Sequence, residues 1–484
     1  MAVSSCSGST LTLLEDGSLC VFGKNKSGQL GTGTTIQHDN PIVLSTALVF
    51  AGEKMVMVAS GFVHSACVSE VGAVWTWGNN SHGQLGRGPP GHSDLNHTPG
   101  RIDPSSFGHS PALMVACGNF FTIILTDAGH VWTCGCNHFG TLGLGQVDRT
   151  HIPTQIDPVH FAGIPIGMIA QGGFKAMAID REGRALWAWG YNCGGMLGLG
   201  VAGAEAAALY CKPNSIFQEH YKLPMGIPAG AFDGVQIAFI GTGHNASMVV
   251  TVDGTLWACG LVPYVDFLDG DKVYTDEYMR VGGAEVFGEG GVRMVGGDSS
   301  HSFIVGKNGS VWCSASTHSQ QLRRIDMSSF RNPRIVFGVC GWGKAIAVSA
   351  NGRVFTWGRG DGIGLVSNNV HDDVPQKPQR LSIACFNRKR VGRWYWMPPA
   401  RCPDCFRSVK NRNHTNGFVD VALRTRPFKK GLKEDQQRCE RRGGNQHACE
   451  HTGCGACGVA ERGAHRAACR SCESAGPPPC RRAQ

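Results

Sequence analysis

One hydrophobic pattern recurs along this chain. In Val74-Trp75-Thr76-Trp77-Gly78-Asn79-Asn80-Ser81-His82-Gly83-Gln84-Leu85-Gly86-Arg87-Gly88 a short apolar run ends on an aromatic and a glycine, and a glycine-rich loop follows. The phrase returns as Val131-Trp132-Thr133-Cys134-Gly135 with Gly140, Gly143 and Gly145 behind it. It returns again as Leu186-Trp187-Ala188-Trp189-Gly190 with Gly195, Gly198 and Gly200. Strand alternation puts Trp75 and Trp77 on one side of the run and Val74 and Thr76 on the other, so both sides are apolar or nearly so. A strand covered on both sides belongs to a sheet stacked between other sheets.

Seven units superpose on this phrase. Each opens with a small-residue apolar strand and a glycine, continues with a second apolar strand, turns, and closes on an aromatic and glycine. Asp16-Gly17, Asp253-Gly254, Asn308-Gly309 and Asn351-Gly352 occupy the turn, where a tight hairpin needs positive φ. The closing positions 23, 78, 135, 190, 260, 314 and 358 are 55, 57, 55, 70, 54 and 44 residues apart, a spacing that suits four strands per unit. Four-stranded blades in a radial array leave few exposed edges. Ring closure is expected to bring Gln379–Cys385 as a late strand beside Val3–Leu14.

The units are unequal. The fifth reads as carrying an insert, Leu261–Gly291, with Asp266, Asp269, Asp271, Asp276 and Glu277. The fourth has an Ala-rich piece, Val201–Tyr210, that suits one or two helical turns. The sixth has Ser314 at the glycine position, and the seventh keeps only Gly360, Gly362 and Gly364 of its loop. Inserts in repeat proteins map to loops at one face, often the binding face; the blander reading is drift in solvated loops.

The run Trp77 to Gly88, written Trp-Gly-Asn-x-x-x-Gly-Gln-Leu-Gly-x-Gly, resembles the repeat of the regulator of chromosome condensation family. Gly61-Phe62-Val63-His64-Ser65 is similar to that family's Gly-x-x-His-Ser segment. The resemblance implies an all-β fold, a seven-bladed β-propeller over residues 1–387, and a monomeric, non-catalytic scaffold for protein–protein interaction like that of small-GTPase regulators. It also raises guanine-nucleotide exchange on a Ran-like small GTPase with chromatin association, the activity of the founding member. A rigid wedge at the GTPase's phosphate site lowers nucleotide affinity, and by linkage nucleotide and wedge weaken each other.

Charge divides the chain. Of 45 Lys+Arg and 36 Asp+Glu, residues 388–484 hold 21 and 8, a net +13 that leaves 1–387 at −4. The acidic balance of 1–387 suits a basic GTPase face. The second region is rich in Arg, Gly, Ala and Cys and is expected to be a poorly ordered tail. Its basic residues suit nucleic acid or chromatin, with Trp394, Tyr395 and Trp396 able to stack on bases. A solvated tail whose aromatics tuck against the ring is the alternative. Cys454, Cys457, Cys469 and Cys472 form two Cys-x-x-Cys pairs, which suit a tetrahedral zinc; compositional bias alone also produces such pairs. Of 21 cysteines, 12 are scattered through the repeats and are expected to be reduced core residues. The N-terminus has no signal-peptide pattern and no run is apolar enough to span a membrane, so a cytoplasmic or nuclear location is expected.

No phosphate loop, nucleophile elbow or His-Glu-x-x-His occurs, so no catalytic residue is assigned. Superposing the units puts Ser9, His64, Phe121, Lys175, Ala246, His301 and Lys344 at one slot. His64, Lys175, His301 and Lys344 are candidates to read a partner carboxylate, and each His is alternatively a cap on backbone within its own blade. Asp266, Asp269 and Asp271 are candidate partner contacts in the fifth unit.

Overall fold

The computed structural model describes residues 3–89, 95–200, 220–243, 245–262, 274–297, 302–316, 319–330, 334–341, 344–358, 378–381 and 391. They form seven four-stranded antiparallel sheets, each made from one contiguous stretch with its strands in sequence order. The first blade is Val3–Cys6, Ser9–Leu13, Leu19–Gly23 and His38–Leu44. The second is Met55–Ser60, His64–Ser69, Val74–Asn79 and Leu95–Arg101. The seventh is Ile335–Gly341, Lys344–Ser349, Val354–Gly358 and Gln379–Arg380. The chain is the expected seven-bladed all-β propeller. Residues Asn413–Gln484 separate as a second unit and lie outside the described residues, as does the expected boundary at 387/388.

The repeated phrase is the packing between blades. Trp75 and Trp77 sit against Leu11, Leu13, Val21 and Leu30 of the first blade, while Val74 turns the other way to Val115 and Ile124 of the third. Gly78 has φ +104°, and a Cβ there would lie 2.6 Å from the Val63 carbonyl, which is why the strand ends on glycine. In the sixth blade Ser314 takes this position and its hydroxyl accepts from the Ser302 amide at 2.9 Å.

A second device is absent from the sequence reading. The linker between blades presents a phenylalanine edge-on to the next blade's aromatic: Phe50 to Trp75 at 5.6 Å, Phe161 to Trp187 at 5.6 Å, Phe232 to Trp257 at 5.9 Å, Phe287 to Trp312 at 5.5 Å. Edge-to-face pairs of this kind add stability beyond the area they bury. The available signal was Asp-Pro-x-x-Phe at Asp103–Phe107 and Asp157–Phe161. There the aspartate accepts from the amide two residues on, at 2.9 Å, and starts a short 3-10 turn.

Two expectations are corrected. Gln379–Arg380 pairs with Val354–Gly358 as the outermost strand of the seventh blade, not beside the first. The tie to the first blade comes later, where Val391 bridges Leu14; Val391 and Leu381 are buried with Val3, Leu14 and Phe22. Most of the supposed insert in the fifth unit is regular structure: Tyr274–Gly282 is that blade's outer strand and Ala284–Phe287 a short helix. The outer strand is polar, so apolar alternation did not reveal it. Only residues 263–273 of that stretch are outside the described set, and they include Asp266, Asp269 and Asp271.

Candidate functional site: the seams and the two faces of the ring

The glycine-rich loop of each early blade reaches the next. The Gln29 carbonyl accepts from Trp77 Nε1 and Ser65 Oγ, both at 2.8 Å. The Gln84 carbonyl accepts from Thr122 Oγ1 at 2.7 Å, the Thr141 carbonyl from Trp189 Nε1 at 3.0 Å, and the Met196 carbonyl from Ser247 Oγ at 2.6 Å. The asparagine of each phrase fixes its own loop: Asn25, Asn80, Asn137 and Asn192 Oδ1 accept from the amide five residues on at 2.8–3.0 Å. Loop tips continue outward, with the Gly88 amide on the His151 carbonyl at 2.9 Å and the Gly200 amide on that of Asp276 at 2.8 Å. These loops are structural joints.

Among the described residues the superposed positions share one register. His64, Phe121, Lys175, Ala246 and Lys344 each begin a second strand, opposite the closing glycine. His64 and Lys175 are fully buried and Lys344 is 2% exposed. Each reaches the next blade: His64 Nε2 bonds Thr122 Oγ1 at 2.9 Å, Lys175 Nζ donates to the Ala246 carbonyl at 2.9 Å, and Lys344 Nζ donates to Thr10 Oγ1 at 2.9 Å. Burial pushes the His64 pKa down to about 3 and that of Lys175 to about 7, the latter opposed by Cys259 and Cys193 nearby. A partner carboxylate does not reach these groups in the closed ring. They clamp one blade to the next, and the His64 contact crosses between blades rather than staying within one. His301, Asp266, Asp269, Asp271, Cys454, Cys457, Cys469 and Cys472 lie outside the described residues.

In the scattered repeats Cys20, Cys67, Cys117, Cys134, Cys259 and Cys340 are buried, and no disulfide occurs among the described residues. Burial raises the thiols of Cys134 and Cys259 to about 12, so they pack as neutral apolar groups.

The antiparallel order puts the glycine-rich loops and the turns between first and second strands on one face of the ring, here the loop face. In blades two to four it carries half-buried rings that touch in two groups. Phe120 meets Phe62 at 6.1 Å and His82 at 5.1 Å between centroids. Phe139 meets Phe174 at 4.7 Å, Tyr191 at 5.2 Å and His220 at 5.2 Å. Backbone bonds join these turns across blades, with the Asn119 amide on the Gly173 carbonyl at 3.0 Å. Arg87, Arg149 and Lys222 stand on this part of the face; Asp148 is the acid of these blades' loops among the described residues, and Glu277 of the fifth blade lies beside Gly200 at its edge. Burial, and then Arg149, lower the pKa of His82.

The opposite face is built from the hairpins and the linkers between blades. The Glu70 amide donates to the Lys54 carbonyl at 2.8 Å, the Ala112 amide to Gly72 at 2.9 Å, and the Asp127 amide to Pro111 at 2.9 Å, making one continuous rim. From the first blade to the linker after the third, this rim carries Glu15, Asp16, Glu53, Glu70, Asp103, Asp127 and Asp157. Against them stand Lys54, Arg101 and, from the next blade's hairpin, Arg181 among the described residues; Arg101 is engaged with Glu53 at 3.5 Å, and the Arg181 guanidinium donates to the Asp127 carbonyl. Three apolar side chains stand out of the same rim: Leu48 is 87%, Val71 59% and Val159 66% exposed.

Comparison with known proteins agrees with this architecture. Models of the regulator of chromosome condensation (RCC1) repeat match residues 16–68, 71–125 and 128–179, with a related model over 57–84. The ultraviolet-B receptor UVR8 of Arabidopsis thaliana is 25% identical over 394 residues, 79% of this chain and 82% of that protein. RUG3, a mitochondrial RCC1 domain-containing protein of the same plant, is 30% identical over 43% of this chain and 42% of its own length. Among solved structures, Prp20p of Saccharomyces cerevisiae superposes with a TM-score of 0.60 at 21% identity, over 77% of this chain and 87% of that one. Among the described residues no helix is long and apolar enough to cross a membrane.

Proposed function

Because the chain belongs to the propellers built from RCC1 repeats, we propose that it is a non-catalytic scaffold whose acidic rim docks the basic face of a small GTPase. One observation carries this reading. The rim from Glu15 to Asp157 joins exposed acids to exposed Leu48, Val71 and Val159 on a continuous hydrogen-bonded frame. Exposed apolar groups ringed by charge are the ordinary composition of a protein docking surface. Charge complementarity would steer the encounter and set orientation, while the apolar groups supply affinity. Prp20p is described by its binding to Gsp1p and histones, which supports a protein as the partner. The frame is hydrogen-bonded from blade to blade, which suits exchange by wedging, and no covalent chemistry is needed.

Release of fluorescent GDP from a panel of small GTPases, with the full chain and with a Glu15→Lys/Glu70→Lys/Asp127→Lys variant, tests the reading. Accelerated release that the variant loses identifies an exchange factor. Saturable binding without acceleration, again lost in the variant, identifies a scaffold. Binding that ignores the variant, or no binding to any GTPase, contradicts the proposal.

A further inference from the structure

The loop face is of opposite character to the acidic rim, and the rim reading leaves it without a role. It combines two features seldom found together on a plain surface. The rings of Phe120, Phe139 and Phe174 are half-buried on loops that hydrogen bonds hold in place, and that of Tyr191 is half-buried at the end of the strand Leu186–Tyr191. Arg149 is exposed at the start of its outer strand, and Lys222 Nζ is positioned by Gln146 Oε1 at 2.8 Å. Arg149 is near enough to His82, which meets Phe120, to lower its pKa, and Lys222 follows His220, which meets Phe139, by two residues on one strand; Asp148 is the opposing charge.

From this placement we propose that the loop face of blades two to four binds single-stranded nucleic acid, its bases against the aromatic group and its phosphates against Arg149 and Lys222. The chemistry of the ligand selects this class. Every nucleotide offers a π-face and a phosphate together, and sequence-tolerant single-strand sites pair aromatic platforms with a cationic track. An acidic peptide would satisfy the cations but has no obligatory ring to set on the aromatics. A duplex would satisfy the cations and leave its bases stacked inside. The face is separate from the acidic rim, so this site stands or falls independently of GTPase docking.

The test uses the full chain and fluorescence anisotropy with 5′-labelled oligo(U) and oligo(dT) of equal length. The basic region 388–484 gives a background of phosphate binding, so the readout is the difference between variants. Tyr191→Ala and Phe139→Ala should each weaken both probes about tenfold, the usual scale for loss of one stacked base. Arg149→Glu/Lys222→Glu, confined to the surface and expected to fold as wild type, should weaken both and reduce the salt dependence of binding. Preference for oligo(U) over oligo(dT) would identify RNA as the source, and the reverse DNA. Variants that bind as wild type place all binding on the basic region and overturn the proposal. Equal affinity for a duplex of the same length, or full competition by poly-glutamate at matched charge, overturns it as well. Melting curves of the aromatic variants accompany the measurement; where one is unfolded, the charge-reversal variant alone decides.

Discussion

The indole nitrogen of Trp77 donates to the main-chain carbonyl of Gln29 at 2.8 Å, across the seam between the first and second blades. One repeat thereby holds the next by a side chain and a loop that both belong to the repeated phrase. The same pairing joins Trp189 to Thr141. The glycines and the asparagine of the phrase recur through the first four blades, while the aromatic gives way to Cys134 in the third and Cys259 in the fifth, whose thiols face the loop carbonyls of Gln84 and Met196 at 3.7 and 3.6 Å.

The closing glycine is the most constrained part of that phrase. With φ +104° and the Val63 carbonyl 2.6 Å from where a Cβ would stand, Gly78→Ala introduces both strain and a clash. It should cost about 1–3 kcal/mol, read as a lowered urea midpoint. Gly52→Ala, where a Cβ meets nothing, measures the cost of positive φ alone and should be milder.

The buried amine at the seam between blades four and five gives a pH signature. Lys175 has its pKa lowered by burial to about 7, below the roughly 10.4 of an unfolded lysine. Above the unfolded value both states are neutral and the native state is unpenalised. As pH falls toward 7 the unfolded chain takes up a proton that the native state refuses, so stability drops; below 7 the loss levels off. Lys175→Met should remove up to about 1.4 kcal/mol of stability change per pH unit in that window. Parallel urea curves of the two proteins from pH 7 to pH 10 measure the difference.

Val391 closes the ring from beyond the seventh blade. It is 1% exposed and bridges Leu14. A chain ending at residue 393 should therefore melt higher than one ending at 387. Val391→Ala in the full chain should lose about 1–3 kcal/mol. Calorimetry of the three proteins checks this, and equal melting temperatures would show that the bridge contributes nothing.

The repeat made the blade count, the Trp packing and the hairpins legible in the sequence, because inner strands are covered on both sides and print an unbroken apolar pattern. Outer strands are only partly covered and carry polar residues, so Tyr274–Gly282 looked like an insert. Linker phenylalanines such as Phe232 and Phe287 follow different lead residues and leave no common phrase. The slot of His64, Lys175 and Lys344 was found by alignment, but alignment does not say which way a side chain turns; each turns to the neighbouring blade. Glu15, Glu70 and Asp127 are more than fifty residues apart in the chain, and only ring closure brings them to one rim.

The central claim is that the repeated phrase is a joint between blades, with recognition left to the faces. Equilibrium urea unfolding of Trp77→Ala tests it most directly. Trp77 is fully buried, so the variant should lose about 3–5 kcal/mol while the folded fraction keeps wild-type affinity for any partner of the acidic rim. A wild-type unfolding midpoint with partner binding abolished would contradict the claim and make the phrase itself the site.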